Sequence, residues 1–174
     1  MSLLKSLLSV PPFYSTRRHH ALEHATLQVL ARKEPHLALF GYSDVRGFWV
    51  VGNVSTEVLR DAVDEALARL QNGEAGLAYH PNCGTNYAVA GLLAGSLAWL
   101  TMAFSQGSWR KRLQDWPVVV AVSTFGLMLG LPLGYKFQQA VTVEPQPGAM
   151  KVVEIRVLQG KFMRTHRVLT RDMS

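Results

Sequence analysis

Two long runs without a charged side chain lie in the second half of the chain. The first covers 87–104 and the second covers 116–135. About 20 predominantly apolar residues cross a hydrocarbon core of ~30 Å, so both runs are predicted to be membrane-spanning helices. The short polar link between them contains the basic cluster 110–112, so we expect a transmembrane hairpin. The alternative is a soluble protein with two buried helices, but a chain of 174 residues offers little to cover both on all sides.

Glycines recur at intervals of four within both predicted spans. They are Gly91 and Gly95 in the first span and Gly126, Gly130 and Gly134 in the second. Small residues at this spacing allow a second helix to approach closely. We therefore expect tight packing within the hairpin, or against a helix of a partner or of a second copy of the chain.

The residues before the first span predict a small domain of helices and strands. Residues 18–33 combine apolar faces with basic residues at the C-terminal end, which is typical of a helix. Short apolar runs at 37–40 and 47–52 predict two strands joined by a turn. Ser55 is the expected N-cap of a second helix, whose apolar side chains recur at helical spacing, and Gly73 is its expected C-terminal cap.

The residues after the second span predict a β-hairpin, because apolar and polar residues alternate in 152–158 and 162–169 around Gly160. We interpret His166 as an ordinary strand residue. The predicted fold class is α+β, a small helix/strand domain with an inserted two-helix transmembrane hairpin. The predicted divisions are 1–17 as an interfacial segment, 18–86 as the α+β domain, 87–135 as the transmembrane hairpin, and 136–174 as a C-terminal β-hairpin that completes the domain.

The first chemical motif is H-x-x-E-H, within the predicted helix 18–33. Residues three and four apart on a helix point the same way, so His20 and His24 can bind one metal ion, with Glu23 beside them. This is the inverted zincin order, in which zinc acts as a Lewis acid and the carboxylate as a general base. His19 is an additional candidate for a supporting or substrate-side residue. The alternative is a polar surface on a short helix.

The second chemical motif, HPNCGTN at 80–86, lies directly before the first predicted span. His80 and Cys83 flank a Pro-Asn turn and are both typical zinc ligands. Thr85 and Asn86 offer a hydroxyl and an amide to a ligand. Polar groups crowded at a membrane surface are costly to leave unpaired, which favours a site. The alternative is that this segment only caps the span.

Together the two motifs leave the kind of site open. Ligation by all three histidines and Cys83 would make a closed, structural zinc site. If one of them is not a ligand, a position remains for water and catalysis becomes possible. A metal-free site is the third alternative, with Cys83 as a nucleophile and a histidine as its base. Zinc is the first choice for nitrogen and sulfur ligands, although another divalent transition metal also fits.

Composition narrows the classes of function. Cys83 is the only cysteine, which excludes an internal disulfide and a zinc site built on cysteine pairs. The net charge is +6, but the basic residues are scattered, so nucleic-acid binding is not expected. The thiol and the lack of a secretory signal pattern favour a cytoplasmic α+β domain, whereas the basic link favours the opposite topology. Residues 2–9 are a candidate amphipathic anchor.

The two motifs, in this order and directly ahead of a transmembrane hairpin, resemble a group of uncharacterised bacterial membrane proteins. Members pair H-x-x-E-H with HP-x-CGT, and some are described as metal-dependent enzymes. The resemblance covers residues 19–105 and supplies no reaction. It implies a location in the bacterial inner (cytoplasmic) membrane. The site residues that it implies are His20, Glu23, His24, His80 and Cys83, with Thr85 nearby.

The sequence therefore predicts an integral membrane protein that carries a zinc-dependent hydrolase site, for a peptide or amide bond, at the surface of the lipid bilayer. His20, His24 and His80 would bind the metal. Glu23 would be the general base, and Cys83 the fourth ligand or a thiol on the substrate side. One alternative is a non-catalytic, metal-stabilised accessory subunit of a membrane complex. The other is a metal-free acyl or peptide transferase that uses Cys83 and a histidine.

Overall fold

The computed structural model describes residues 3–105, 109–159 and 163–172, and the chain divides into two compact units. The first unit contains Met1–His80 and Val141–Ser174, and the second contains Pro81–Ala140. The first unit is therefore built from both ends of the chain, and the second unit is inserted between them in sequence.

Within the described residues the α-helices of the first unit are three: α1 is Leu3–Leu8, α2 is Phe13–Lys33 and α3 is Thr56–Gln71. The predicted helix 18–33 is confirmed, although α2 begins five residues earlier, directly after Pro12. The N-cap of α3 is also confirmed, since the Ser55 side chain accepts a hydrogen bond from the backbone N–H of Val58. The C-cap of α3 is Asn72 rather than the predicted Gly73, which comes directly after it with a φ of +90°, a conformation that its missing Cβ permits.

Four antiparallel strands form one sheet in the order β1-β2-β4-β3. The strands are β1 at Phe40–Asp44, β2 at Gly47–Val51, β3 at Met150–Gln159 and β4 at Arg164–Asp172. Strand β2 pairs with β4, with Val50 opposite His166, so the two ends of the chain share a sheet and the α+β fold is confirmed. The predicted turn residue Gly160 and the start of the predicted second strand, Phe162, lie outside the described residues.

The prediction of a strand at 37–40 is wrong, because β1 begins where that run ends and continues through residues that were expected to form a turn. The apolar residues Leu37 and Leu39 pack against the hydrophobic core from a connecting segment. Their hydrophobicity is therefore explained by burial and not by strand pairing. Pairing begins at the residue after Leu39, where Phe40 lies opposite Val51.

The core of the first unit lies between the sheet and the helices α2 and α3. Its largest fully buried apolar side chains include Leu22, Leu30, Phe48, Leu59 and Val168. His166 is also fully buried, and its Nε2 lies 3.1 Å from the Thr56 hydroxyl. This packing fixes the rotation of α2 relative to the sheet, and so decides which of its polar side chains meet β1.

The second unit is dominated by α4 (Gly84–Phe104) and α6 (Trp116–Phe137), with the short α5 (Trp109–Gln114) before α6. A π-helical turn, Gln138–Thr142, continues α6 toward the first unit in sequence. Each helix is long and apolar enough to cross a membrane. Large apolar side chains on both are exposed, such as Leu92 at 73% and Met128 at 67%. Such apolar surface indicates a membrane protein.

Glycines on α6 bring the two long helices together. A Cβ built on Gly126 would lie 2.9 Å from the Ala94 Cα, and one built on Gly134 would lie 2.6 Å from the Asn86 Cα. Gly130 contacts Ala90 in the same way. The expected close packing within the hairpin is therefore present, and it uses the glycines of the second span.

The glycines of the first span have different surroundings. A Cβ built on Gly91 or Gly95 would meet nothing within 4 Å. These two glycines are exposed on α4 and take no part in the packing of the hairpin.

Candidate metal site

The H-x-x-E-H motif occupies the middle of α2, where its regular spacing groups the functional side chains. The ring centroids of His20 and His24, one turn apart, are separated by 4.2 Å. His24 is buried, and His20 is partly exposed. Two imidazoles this close on one side of a helix are suited to bind one metal ion.

Both imidazoles are oriented by backbone carbonyls from outside the helix. Nδ1 of His20 lies 3.0 Å from the Thr142 carbonyl oxygen, and Nδ1 of His24 lies 2.8 Å from that of Ala78. A carbonyl oxygen only accepts hydrogen bonds, so each Nδ1 is the donor, and in the neutral imidazole Nε2 is the nitrogen that carries the lone pair. Histidine ligands of metal ions are typically held in this way.

His80 lies beside this pair, with its ring centroid 5.7 Å from that of His24. The segment leading to it is tied to α2 by Gln28, whose side-chain amide donates to the carbonyl oxygens of Leu77 and Tyr79 at 2.8 and 3.1 Å. Burial lowers the pKa of His80, which favours the neutral, ligating form of its imidazole at neutral pH. The first unit thus assembles three imidazoles.

Glu23 is buried on the same helix and faces strand β1. The Ser43 hydroxyl donates a hydrogen bond to the Glu23 carboxylate, and Gly41 leaves space for it. Burial raises the pKa of Glu23, although the Ser43 hydrogen bond and the nearby His20 act in the opposite direction. A carboxyl group with a raised pKa is better suited to accept and return a proton at neutral pH.

Gly41, Ser43 and Gln28 are the supporting residues that sequence reasoning did not identify. The two strand residues were expected to lie in a turn, and their relation to Glu23 depends on how α2 packs against β1. The sequence contained one weak indication that Gln28 supports the site, because it lies one turn beyond His24 on α2.

His19 lies apart from the group formed by His20, His24 and His80. Its Nδ1 lies 2.7 Å from the Asp44 carbonyl oxygen, and its Nε2 lies 2.7 Å from the Thr170 hydroxyl. Both ring nitrogens are therefore engaged with the sheet. Burial lowers the pKa of His19, which favours its neutral form there.

Cys83, Thr85 and Asn86 lie in the second unit, at the start of α4. Cys83 is buried and is the residue that precedes the helix, and Thr85 is partly exposed. The Asn86 side-chain amide donates to the Pro81 carbonyl oxygen at 2.8 Å, and Gln138 donates to Asn86 Oδ1 at 3.0 Å. These bonds fix the polar turn that carries Cys83.

Comparisons with known proteins show a family without a known function. Residues 15–155 match the family described as "Domain of unknown function (DUF6391)". An uncharacterized protein of Picosynechococcus sp. (strain ATCC 27264 / PCC 7002 / PR-6) is 42% identical over 97 residues, which is 48% of this chain and 47% of that protein. The match spans about half the length of that relative. No solved structure matches the chain.

Proposed function

The chain belongs to the DUF6391 family, and we propose that it is an integral membrane protein with a zinc-dependent hydrolase site for a peptide or amide bond. The observation that carries this proposal is the pair His20 and His24, each held through Nδ1 by a backbone carbonyl. Histidine ligands of metal ions are typically oriented through one ring nitrogen in this way, which leaves the other nitrogen to bind the metal.

The donor set fits zinc. Imidazole nitrogen is a ligand that zinc prefers, and the first unit offers it from His20, His24 and His80. Cys83 follows His80 by three residues, and three residues of extended chain span at most about 11 Å. The motif therefore offers a thiolate, another ligand that zinc prefers, close to His80 along the sequence. Zinc acts as a Lewis acid when it is bound.

In the proposed reaction, protein side chains carry out the proton transfers. Glu23 takes a proton from the attacking water, and the water oxygen forms a bond to the carbonyl carbon. Glu23 then returns that proton to the amide nitrogen as the C–N bond breaks, which yields an acid and an amine. Ser43 holds the Glu23 carboxylate in position for both steps.

A non-catalytic role is the second candidate, because three histidines and Cys83 make a complete tetrahedral set. In that case the metal would have no open position, and the protein would be a metal-stabilised subunit of a larger assembly. We also propose that the first unit lies on the cytoplasmic side of a bacterial inner membrane, where the Cys83 thiol stays reduced.

The deciding experiment is the zinc content of the detergent-purified protein and of two histidine variants. We expect about one zinc per chain in the wild type, retention in His36→Ala, and loss in His24→Ala. His36 is the matched control because it is an exposed histidine of the same unit. Absence of zinc in the loaded wild type, or retention in His24→Ala, would contradict the proposal.

A third variant separates the two functions. Glu23→Gln keeps a side chain that can accept the Ser43 hydrogen bond, so it should retain zinc. If the site is catalytic, its hydrolysis of an unfolded protein should fall by about 10²–10⁴-fold. A zinc-loaded wild type that hydrolyses no peptide or amide bond would instead support the closed, non-catalytic site.

A further inference from the structure

Strand β1 is an edge of the sheet. Within the described residues 3–105, 109–159 and 163–172, its strand partner is β2 on one side, and no strand pairs with its other side. An unpaired strand edge presents a row of backbone N–H and C=O groups, which an extended polypeptide can satisfy by adding a strand. The backbone groups of this edge are therefore suited to bind an extended peptide.

The two edges of the sheet differ in their protection. Strand β3, at the opposite edge, carries the charged residues Lys151, Glu154 and Arg156 and an irregularity in its pairing between Val152 and Glu154. Charges and bulges are the usual devices that prevent further pairing. Strand β1 has the sequence FGYSD, with one charge and no proline.

The outward face of β1 is aromatic. Phe40 and Tyr42 alternate along the strand and are 65% and 62% exposed. Side chains two residues apart on a strand project from the same face. They therefore form an apolar surface beside the open edge, suited to large side chains on an added strand.

The inward face of β1 contacts the candidate catalytic carboxylate. Ser43 donates a hydrogen bond to Glu23, and Gly41 lies against the same carboxylate. Neighbouring strands lie about 4.8 Å apart, so a peptide paired to the open edge of β1 would run one strand spacing from Gly41. Its backbone would pass next to Glu23.

We propose that the open edge of β1 is the substrate-binding site of this protein and takes an extended peptide segment as an added antiparallel or parallel strand. Backbone hydrogen bonds align the segment, Phe40 and Tyr42 contact its apolar side chains, and Glu23 lies beside the bond to be cut. This inference rests on the proposed hydrolase function and names its substrate class, an unfolded or extended polypeptide.

Amide hydrogen exchange tests this binding mode directly. The protein is the full chain in detergent, loaded with zinc. It carries Glu23→Gln so that the bound probe is not cut. The probe is reduced, carboxymethylated α-lactalbumin, a permanently unfolded chain. We expect exchange in residues 40–44 to slow by about 3–10-fold, as for amides that gain a hydrogen bond, and exchange in 150–159 to stay unchanged.

Two matched controls distinguish strand addition from non-specific binding of the probe. Poly-L-proline has no backbone N–H and cannot add a strand, so it should leave residues 40–44 unprotected. Tyr42→Lys places a charge at the exposed aromatic face and should weaken the protection, whereas Tyr42→Phe should retain it. Tyr42 is well exposed, so both variants are expected to fold.

Three results would overturn the inference: no protection of residues 40–44 by the unfolded chain, equal protection of 150–159, or equal protection by poly-L-proline. Its failure is distinguishable from failure of the proposed function, which is decided by zinc content. A protein that binds zinc through His24 but leaves β1 unprotected would retain the metal site and lose only this substrate-binding mode.

Discussion

Replacing Gly41 with alanine tests how closely β1 packs against helix α2. A Cβ at this position would lie 2.6 Å from Cδ and 2.8 Å from Cγ of Glu23. Carbon atoms in good contact are about 3.5–4.0 Å apart, so the carboxylate or the strand must move by about 1 Å. Overpacking of this kind costs about 1–3 kcal/mol of folding free energy.

Thermal unfolding of the detergent-purified variant measures this cost. A loss of 1 kcal/mol lowers the Tm of a domain of 150–250 residues by about 2–4 °C. Gly76→Ala is the matched control, since a Cβ at Gly76 meets nothing within 4 Å and its φ is not positive. We expect Gly41→Ala to lower the Tm and Gly76→Ala to leave it nearly unchanged.

A double-mutant cycle identifies Glu23 as the source of the strain. Glu23→Asp withdraws the carboxylate by one carbon, so Gly41→Ala should cost less in that background. The expected coupling energy is about 0.5–3 kcal/mol, as for residues in direct contact. A Gly41→Ala variant as stable as Gly76→Ala, or strictly additive with Glu23→Asp, would refute the packing of β1 against Glu23.

Two further predictions concern stability. Burial and the nearby Arg164 lower the pKa of His166 below 6.5, so the folded state favours its neutral form. The stability that comes from neutral His166 is therefore present above pH 6.5 and is lost as the pH falls through the folded-state pKa. Thermal scans from pH 7 to 5 should show a fall in Tm. That fall should be smaller in His166→Gln. Gly130→Leu should destabilise the hairpin by more than about 1 kcal/mol, whereas Gly91→Leu should not, because Gly130 packs against the other helix and Gly91 does not. Equal protease resistance of these two glycine variants would contradict this.

The grouping of His20, Glu23 and His24 could be predicted because it depends on short-range geometry. Helical spacing alone places residues three and four positions apart on one side. His19 is adjacent to His20 in sequence but about 100° further around the helix, and its ring is engaged by Asp44 and Thr170. Its different surroundings required knowledge of where the sheet lies.

The groups that orient the site could not be predicted from residue types. The carbonyl oxygens of Ala78 and Thr142 belong to the backbone, and any residue supplies such a group. Thr142 is 122 positions from His20. Ser43 was also missed. The strand was predicted at 37–40, whose first three residues lie outside β1, so Ser43 was expected to lie in the following turn.

The sequence by itself determined the fold class, the two membrane-length helices and the ligand candidates on α2, because periodicity and segment length report local geometry. Only the tertiary structure decided which carbonyls orient the imidazoles, that β1 rather than β3 meets Glu23, and that Gly126, Gly130 and Gly134 pack the hairpin while Gly91 and Gly95 do not. Those outcomes depend on packing between segments far apart in sequence, which local pattern does not specify.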